Sequence, residues 1–483
     1  MRGSAFPAAG LLRRAALSAG TGLALLLTGL PAATAAVPGE VPQRTITYDV
    51  RVRGTVQADP GAFARVAART FHDRRGWSLG GSIRFAQVPS GGAFTLWLAA
   101  PSSMRSFSSV CSAQYSCRVG RNVIINDERW RTGTATWPTV REYRQYVLNH
   151  ELGHWLGLGH SSCSRAGAPA SVMQQQSKGL GGCRNATWPL EQERRAAAVG
   201  SRVQPRSKAP AVTAVERAGR TGTEAHVLDG ARAYAAWLSH TSASLPATDQ
   251  PVWTFRFADH DLDGVDDLYA IEHRSGATVR VNVRDGASGY RTSLLDTATP
   301  LQVLDGGSWT FAVDDADGDG VDDVYAINGQ GRTGTEVHVL DGASGLRSWR
   351  LHAATALHRT DAAAWSLAVG DHDRDGVPDL YAVRHRGATG RTEAHALSGA
   401  AGFGRWISHS ATPLGPSDPE TRSFEVADVD GDGWDDLVTL ERVGASGRTE
   451  LRALDRTSNR WLLQATTALR PSPGRDAWSF DFS

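Results

Sequence analysis

The sequence has almost no net charge and, beyond its N-terminus, no long hydrophobic run. It contains 51 Lys and Arg residues and 50 Asp and Glu residues, which gives a formal net charge of +1. This balance lacks the basic surplus with which nucleic-acid-binding proteins neutralise phosphates, so we expect no nucleic-acid partner. After an apolar segment at residues 15–30, no stretch approaches the length of a membrane span. We therefore expect no membrane span in the processed chain.

The N-terminus has the pattern of a secretory signal peptide. Arg2, Arg13 and Arg14 form a positive leader before the apolar segment, and small residues follow at 33–36. We predict that residues 1–36 are a signal peptide and that the protein is secreted to an extracellular location. An uncleaved N-terminal anchor is the alternative, and the arginine pair leaves the twin-arginine route open.

Cysteine is scarce, with four residues that all lie between positions 111 and 183. Export to an oxidising compartment favours disulfides, and four cysteines allow three pairings. We favour the local pairs Cys111–Cys117 and Cys163–Cys183, because each would close one loop. The alternative makes Cys163 a thiolate ligand of a metal ion.

The chain divides into two regions with different patterns. Residues 37–200 mix predicted strands and helices and are predicted to form an α+β domain, in which one helix begins near Thr139 and runs through His150. Residues 201–211 are polar and contain proline, as in a linker. Residues 212–483 are repetitive and lack this alternation. The predicted fold is therefore multidomain.

The repetitive region has a period of about 56 residues. Asp-rich segments begin at Asp259, Asp315, Asp371 and Asp428, and each has an aromatic residue upstream and an alternating strand downstream. This pattern is typical of propeller blades. The region starts with the second half of a repeat and ends with a first strand, so joining its ends would complete a fifth blade. We predict a closed all-β propeller of five blades; an open array or a truncated larger propeller is the alternative.

The strongest chemical signal is the segment H-E-L-G-H-W-L-G-L-G-H at residues 150–160. His150 and His154 are four residues apart, so a helix places both on one face. A glycine after them permits the chain to turn, so that His160 returns as a third ligand. Three imidazoles leave one position open on a zinc ion, and Glu151 can reach a water there as general base.

This segment resembles the metzincin metallopeptidases, whose H-E-x-x-H-x-x-G-x-x-H pattern it meets at every fixed position. Residues 171–173 resemble the family's methionine turn, with Met173 below the metal. The resemblance implies a zincin-like metallopeptidase domain with one catalytic zinc. It also implies an edge strand that pairs with substrate, which we place at Phe94–Ala99. Gln175 stands where some members have a tyrosine, so zinc would stabilise an oxyanion alone.

Each Asp-rich segment follows the pattern D-x-D-x-D-G-x-x-D. Carboxylates at alternate positions of a tight loop converge on one point, which suits calcium. The array resembles FG-GAP or integrin-type (VCBS-like) propeller repeats, which implies up to four structural calcium ions, although that family's usual ring has more blades. Asp-rich turns without an ion are the alternative. The candidate calcium ligands are Asp259, Asp261, Asp263, Asp267, Asp315, Asp317, Asp319, Asp323, Asp371, Asp373, Asp375, Asp379, Asp428, Asp430, Asp432 and Asp436.

Together these patterns predict a secreted zinc metalloendopeptidase that hydrolyses peptide bonds in a protein or peptide substrate. The propeller would bind substrate, a glycan or a cell surface. The alternative is an adhesion or carbohydrate-binding propeller protein whose N-terminal domain is a scaffold or acts on a non-peptide amide. Three recurring histidines of the array, His226, His338 and His395, are interpreted as packing residues rather than metal ligands.

Overall fold

The structure is a computed structural model that describes residues 41–248, 252–304, 308–471 and 478–482. The predicted signal peptide, residues 1–36, lies outside the described residues. Within the described ranges, no helix is both long and apolar enough to span a membrane.

The N-terminal region is built on one five-stranded sheet in the order β2-β1-β3-β5-β4. The pairs β1–β2, β1–β3 and β3–β5 are parallel, and only β4 runs antiparallel to its neighbour. The strands are β1 (Arg44–Arg53), β2 (Ile83–Gln87), β3 (Phe94–Ala99), β4 (Cys117–Val119) and β5 (Asn122–Asn126), and the helices are α1 (Pro60–His72), α2 (Asp127–Thr132), α3 (Val140–Trp155) and α4 (Glu191–Ser201).

Aromatic side chains fill the core between this sheet and its helices. Tyr48 of β1 stacks on Phe94 of β3 with ring centroids 5.3 Å apart, and Phe71 of α1 packs edge-on against Tyr48. The fully buried Trp77 donates its indole N–H to the carbonyl oxygen of Asn149 at 2.8 Å. This hydrogen bond ties α3 to the core one residue before the histidine segment.

The prediction that Phe94–Ala99 forms an edge strand is wrong. This strand, β3, lies in the centre of the sheet, between β1 and β5, and nearly all its residues are buried. Its continuous apolar run reflects burial on both faces, which is usual for parallel strands. The edge strand beside the histidine segment is β4, which is only three residues long.

The repetitive region forms five four-stranded antiparallel sheets, which are the five predicted blades. Blade 1 contains β9 (Trp253–Ala258), β10 (Asp267–Glu272), β11 (Ala277–Arg284) and β12 (Ser293–Val303); blade 2 contains β13 (Trp309–Asp314), β14 (Asp323–Asn328), β15 (Glu336–Leu340) and β16 (Trp349–Ala354); blade 3 contains β17 (Trp365–Gly370), β18 (Asp379–Arg384), β19 (Glu393–Leu397) and β20 (Trp406–Ala411); blade 4 contains β21 (Arg422–Ala427), β22 (Asp436–Glu441), β23 (Glu450–Asp455) and β24 (Arg460–Thr466).

The two ends of the repetitive region form the fifth blade, which we call the composite blade. It contains β6 (Val212–Gly219), β7 (Gly222–Leu228), β8 (Trp237–Leu245) and the last strand, β25 (Trp478–Phe482). Strand β25 pairs antiparallel with β6, and the inner strands of the five blades contact one another in a closed ring. Closure covers the sheet edges that an open array would expose. The predicted closed five-blade ring is confirmed.

Both disulfides join the pairs that the sequence favoured. Cys111 is bonded to Cys117, and Cys163 is bonded to Cys183. Because Cys163 is paired, it is not a thiolate ligand for a metal ion, and the alternative raised for it is excluded.

The N-terminal domain lies on the propeller face that carries the four Asp-rich segments, residues 259–267, 315–323, 371–379 and 428–436, which we call the Asp loops. Each Asp loop receives a different arginine of the N-terminal domain. The contacts join Arg84 to Asp263 (2.9 Å), Arg65 to Asp319 (3.0 Å), Arg141 to the carbonyl oxygen of Gly376 (2.7 Å) and Arg75 to Asp428 (2.7 Å). Arginines of the N-terminal domain thus lie against the acidic loops, and their charges are complementary.

Candidate metal centre

Helix α3 and the turn after it position the three histidines. Thr139 caps the helix by accepting a hydrogen bond from the N–H of Glu142 at 3.1 Å. The helix ends at Trp155, and Gly157 adopts a φ of 96°, a conformation that glycine takes readily. The chain then turns back and brings His160 to the helix face.

The three imidazoles converge as the sequence predicts. One ring nitrogen from each of His150, His154 and His160 lies within 4.8 Å of the others, and the Nε2 atoms of His154 and His160 are 3.0 Å apart. The Nδ1 atoms of His150 and His154 contact the carbonyl oxygens of Val172 (2.8 Å) and Leu158 (2.9 Å). These carbonyls require N–H at Nδ1, so each Nε2 keeps a free lone pair.

Desolvation favours the neutral form of the three rings, most strongly at the buried His150. It lowers the pKa of His150 to about 3, and it also lowers the pKa values of His154 and His160. Neutral imidazole is the form that binds transition metals. The residues therefore fit a zinc ion, which normally takes four ligands and would find three here.

Glu151 lies beside the histidines in a cleft of about 400 Å³. Its side chain is buried, its Oε2 atom has no hydrogen-bond partner, and burial raises the pKa of its carboxyl to about 8. Two cations, Arg118 and Lys178, also line the cleft, and no acid other than Glu151 does so among the described residues. The cleft thus combines one titratable carboxyl group with a positive lining.

Met173 occupies the predicted place beneath the histidine segment. It is buried, and a Cβ on Gly153 would overlap its sulfur atom, so α3 and the methionine turn require glycine at that contact. The carbonyl oxygen next to it, that of Val172, is the partner of His150. The turn therefore supports the centre from below and orients one ligand.

Sequence reasoning missed Glu193, which holds this turn. Its buried carboxylate accepts hydrogen bonds from the N–H of Met173 (3.1 Å), the N–H of Leu190 (2.7 Å) and the hydroxyl of Ser171. The signal was present, because glutamate three residues into a helix is typical of a capping box. Here the same carboxylate also reaches the methionine turn.

Replacing Glu193 with alanine is expected to lower the free energy of unfolding by about 3 kcal/mol, because several buried donors lose a charged acceptor. Urea denaturation followed by circular dichroism measures the change. The matched control is Glu191→Ala on the same helix, where the side chain is 53% exposed and a change within about 0.5 kcal/mol is expected. Equal effects of the two substitutions would contradict the role given to Glu193.

The Asp loops bring their carboxylates together as predicted. The first two aspartates and one later aspartate approach within 4.8 Å in the first three loops. These groups are Asp259, Asp261 and Asp263; Asp315, Asp317 and Asp323; and Asp371, Asp373 and Asp379. In the fourth loop, Asp428 accepts hydrogen bonds from the N–H groups of Gly431 and Gly433. The arrangement concentrates negative charge at each loop.

The last aspartate of each loop has a structural task that the sequence did not reveal. Asp267 is fully buried and accepts hydrogen bonds from the N–H groups of His260 (2.8 Å) and Gly286 (2.7 Å). Asp323 and Asp379 bond the equivalent glycines of their blades. These carboxylates therefore fasten the first three loops to their neighbouring hairpins.

Three blades carry a cluster of two tryptophans and two histidines, which we call the Trp–His clusters. In blade 2, the ring of Trp349 lies 4.5 Å from that of His352 and 6.0 Å from that of His338, and Trp309 lies 5.8 Å from His338. The three clusters are Trp309, His338, Trp349 and His352; Trp365, His395, Trp406 and His409; and Trp478, His226, Trp237 and His240. All six tryptophans are partly exposed.

Comparison with known proteins gives one family and several distant structures. Residues 28–205 match the model of a family described as "Protein of unknown function (DUF3152)". No curated protein matches the chain.

Several solved structures are similar to this chain at low sequence identity. AofleA from Arthrobotrys oligospora is 12% identical, with 58% of this chain and 77% of that chain covered and a TM-score of 0.33. An exo-β-1,3-galactanase from Phanerochaete chrysosporium is 10% identical, with 52% and 62% covered and a TM-score of 0.31. An α-L-arabinofuranosidase from Clostridium thermocellum is 12% identical, with 54% and 94% covered and a TM-score of 0.28.

The prediction of a metzincin metallopeptidase is wrong. The family model that matches residues 28–205 describes a protein of unknown function and not a metallopeptidase. The family model also stops before the array, so the FG-GAP resemblance is not supported. The physical reason is that an eleven-residue pattern specifies a helix, a turn and three imidazoles, whereas the surrounding domain and its substrate are set by other residues.

Proposed function

We propose that this protein is an exported carbohydrate-binding protein whose five-bladed propeller recognises a glycan. The observation that carries the proposal is the recurrence of the Trp–His clusters on three blades. A partly exposed tryptophan ring offers a flat apolar face at little entropic cost, and sugars present an apolar C–H face to such rings. The histidines beside it, and Glu336 in blade 2, offer donors and acceptors for hydroxyl groups.

The position of the clusters supports this proposal. Trp309 begins β13, whereas the Asp loop of the same blade follows the end of that strand. A six-residue strand is about 20 Å long, so the tryptophan lies at the opposite end from the Asp loop. The N-terminal domain contacts the Asp loops, so Trp309 lies away from that domain. Trp349 lies on the outer strand nearer the Asp loop, because its partner Leu340 pairs with Val324.

Replacing Trp349 with alanine is expected to weaken glycan binding at least about tenfold, because the sugar loses its stacking surface. The full-length chain is first tested on an array of bacterial, fungal and plant polysaccharides, and affinities are then measured by calorimetry. The matched control is Trp461→Ala: Trp461 holds the same register in blade 4, where Arg452 and Gln464 replace the two histidines. Absence of binding to every polysaccharide, or equal loss in both variants, would overturn the proposal.

A second candidate function is hydrolysis of a non-peptide amide at the three-histidine centre, and the unpartnered Oε2 of Glu151 favours it. A zinc ion held by His150, His154 and His160 would supply a Lewis acid and a water of lowered pKa. Glu151 would take a proton from the attacking water at Oε2 and return it to the leaving nitrogen. Arg118 and Lys178 in the cleft favour a substrate that carries negative charge.

We also propose that the Asp loops bind calcium, up to one ion each. Support comes from the convergence of three carboxylates within 4.8 Å in a tight loop, since calcium takes six to eight oxygen ligands. Carboxylates so close together repel one another without a cation. Three arginines of the N-terminal domain, Arg65, Arg75 and Arg84, already place positive charge on three loops, so calcium and docking would share the same aspartates.

A further inference from the structure

Two glutamates face each other in the composite blade, where the two ends of the propeller meet. Glu216 of β6 and Glu224 of β7 are directly paired across the strands. Like charges at such a position destabilise a sheet. The Nε2 atom of His226 lies 3.5 Å from a carboxylate oxygen of Glu216 and 3.8 Å from one of Glu224.

The buried side chain of His226 indicates that a binding partner is absent from this cluster. The residue is only 7% exposed, and its Nε2 atom is buried without a hydrogen bond. Its other nitrogen, Nδ1, is engaged with Nδ1 of His240 at 2.7 Å. Burying a polar atom without a partner is unfavourable, so an unpaired nitrogen between two carboxylates requires an explanation.

In blades 1 to 3, the glutamate at the equivalent position faces a neutral or positive residue on the neighbouring strand. In blade 1, Glu272 faces Arg280 across the strands. In blade 3, Arg384 faces Glu393. In blade 2, Asn328 faces Glu336, so the histidine there, His338, meets only one carboxylate.

Blade 4 also pairs two glutamates, but arginines neutralise them. Glu441 faces Glu450, and Arg422 and Arg452 lie 3.0 Å and 3.6 Å from Glu441. In the composite blade, by contrast, His226 is the only potential cation paired with Glu216 among the residues that the structure describes. The two arginines of blade 4, Arg422 and Arg452, correspond to Trp478 and His226 in the composite blade, and neither of these carries a permanent positive charge.

We propose that Glu216, Glu224 and His226 bind a transition-metal ion of the zinc type. Their three ligand atoms lie within 4.8 Å of one another. Zinc takes mixed imidazole and carboxylate ligands at about 2.0–2.2 Å, which places the ligand atoms roughly 3.3 Å apart. The two distances from the Nε2 atom of His226, 3.5 Å to Glu216 and 3.8 Å to Glu224, are close to that value. The contact between His226 and His240 supplies the outer hydrogen bond that fixes a metal-binding imidazole.

The site has a structural consequence for the ring. Its ligands lie on β6 and β7, and β6 is the strand that pairs with the C-terminal β25. A metal ion bound there would link β6 to β7 and so stabilise the blade that joins the two ends of the propeller. The proposal is independent of the three-histidine centre. It reassigns His226, which also belongs to the Trp–His cluster of the composite blade, from packing residue to ligand.

Zinc binding by the full-length chain tests the site. A His154→Ala background removes one ligand of the three-histidine centre, and 1 mM calcium occupies acidic loops that would bind zinc weakly. After treatment with chelator, calorimetric titration with zinc chloride is expected to show one strong site in this background. Adding His226→Asn is expected to weaken that site at least about a hundredfold, and Glu216→Gln at least about tenfold.

The matched control is His338→Asn in blade 2, which has the same His–His pair but only one facing glutamate and is expected to leave zinc binding unchanged. Cobalt replaces zinc as a spectroscopic probe, and its visible absorption is expected to disappear with His226→Asn. Circular dichroism of each variant shows whether it is folded. Absence of a strong site in the His154→Ala chain, or unchanged affinity in folded His226→Asn and Glu216→Gln variants, would overturn the proposal.

Discussion

Replacing His154 with alanine is expected to weaken zinc binding at the three-histidine centre at least about a hundredfold, whereas Glu151→Gln is expected to leave it unchanged. His154 supplies one of three convergent nitrogens, and its Nε2 lies 3.0 Å from that of His160. Glu151 belongs to the same helix turn but is not one of the converging ligands. The two substitutions therefore separate metal binding from proton transfer.

The chemical readout is hydrolysis of a succinylated nitroanilide, a non-peptide amide with a negative charge that suits the positive cleft. If the zinc-loaded protein hydrolyses it, Glu151→Gln is expected to lower kcat at least about a hundredfold, because the general base is lost. His154→Ala is expected to lower both zinc content, measured by elemental analysis, and activity. The control is His358→Ala, an exposed propeller residue. Full zinc content in the His154→Ala protein would exclude the proposed ligand set.

The local structure of the three-histidine centre could be predicted from the sequence because it depends on residues that are close together in the chain. The spacing of His150 and His154 determines their common helix face, and the glycine after the helix determines the return of His160. The same holds for the ring of five blades, since the array begins and ends with complementary parts of one repeat. Patterns of this kind depend on few residues that are close in sequence.

The failures concern contacts that are distant in sequence. Arg65 meets Asp319 across 254 positions, and no periodicity relates an N-terminal helix to a propeller loop. The burial of β3 depends on β5, which follows it only after a loop and a short strand. Glu193 could be predicted as a helix-capping residue but not as an acceptor for the methionine turn. The predicted function was wrong for a related reason, because a metal-binding pattern does not determine which substrate the protein recognises.

Removal of calcium is expected to lower the thermal midpoint of the protein at pH 8 by about 5–10 °C. A ligand present at one hundred times its dissociation constant stabilises the folded state by about 2.7 kcal/mol, and 1 kcal/mol corresponds to about 2–4 °C in a domain of this size. Four Asp loops would contribute. Differential scanning calorimetry with and without a calcium chelator measures the shift.

Without calcium, the thermal stability of the protein is expected to fall as the pH rises. Burial raises the pKa of Asp267 and Asp436 to about 8 and that of Asp323 and Asp379 to about 7, whereas unfolding returns each carboxyl to its ordinary pKa of about 4. Between these values the folded chain binds more protons than the unfolded chain, so its stability falls as the pH rises. The midpoint without calcium is therefore expected to be at least about 5 °C higher at pH 5.5 than at pH 8.

Calcium should reverse this order, because it binds the ionised carboxylates and protons compete with it. The calcium-dependent gain in midpoint is thus expected to be large at pH 8 and small at pH 5.5. Asp317→Asn, which removes one converging carboxylate of the second loop, is expected to lower calcium content by about one ion per chain on the ligand counting above. Asp296→Asn, an exposed carboxylate outside the loops, serves as control. Equal midpoints with and without calcium at pH 8 would show that the arginines of the N-terminal domain, rather than a metal ion, balance the charge of the Asp loops.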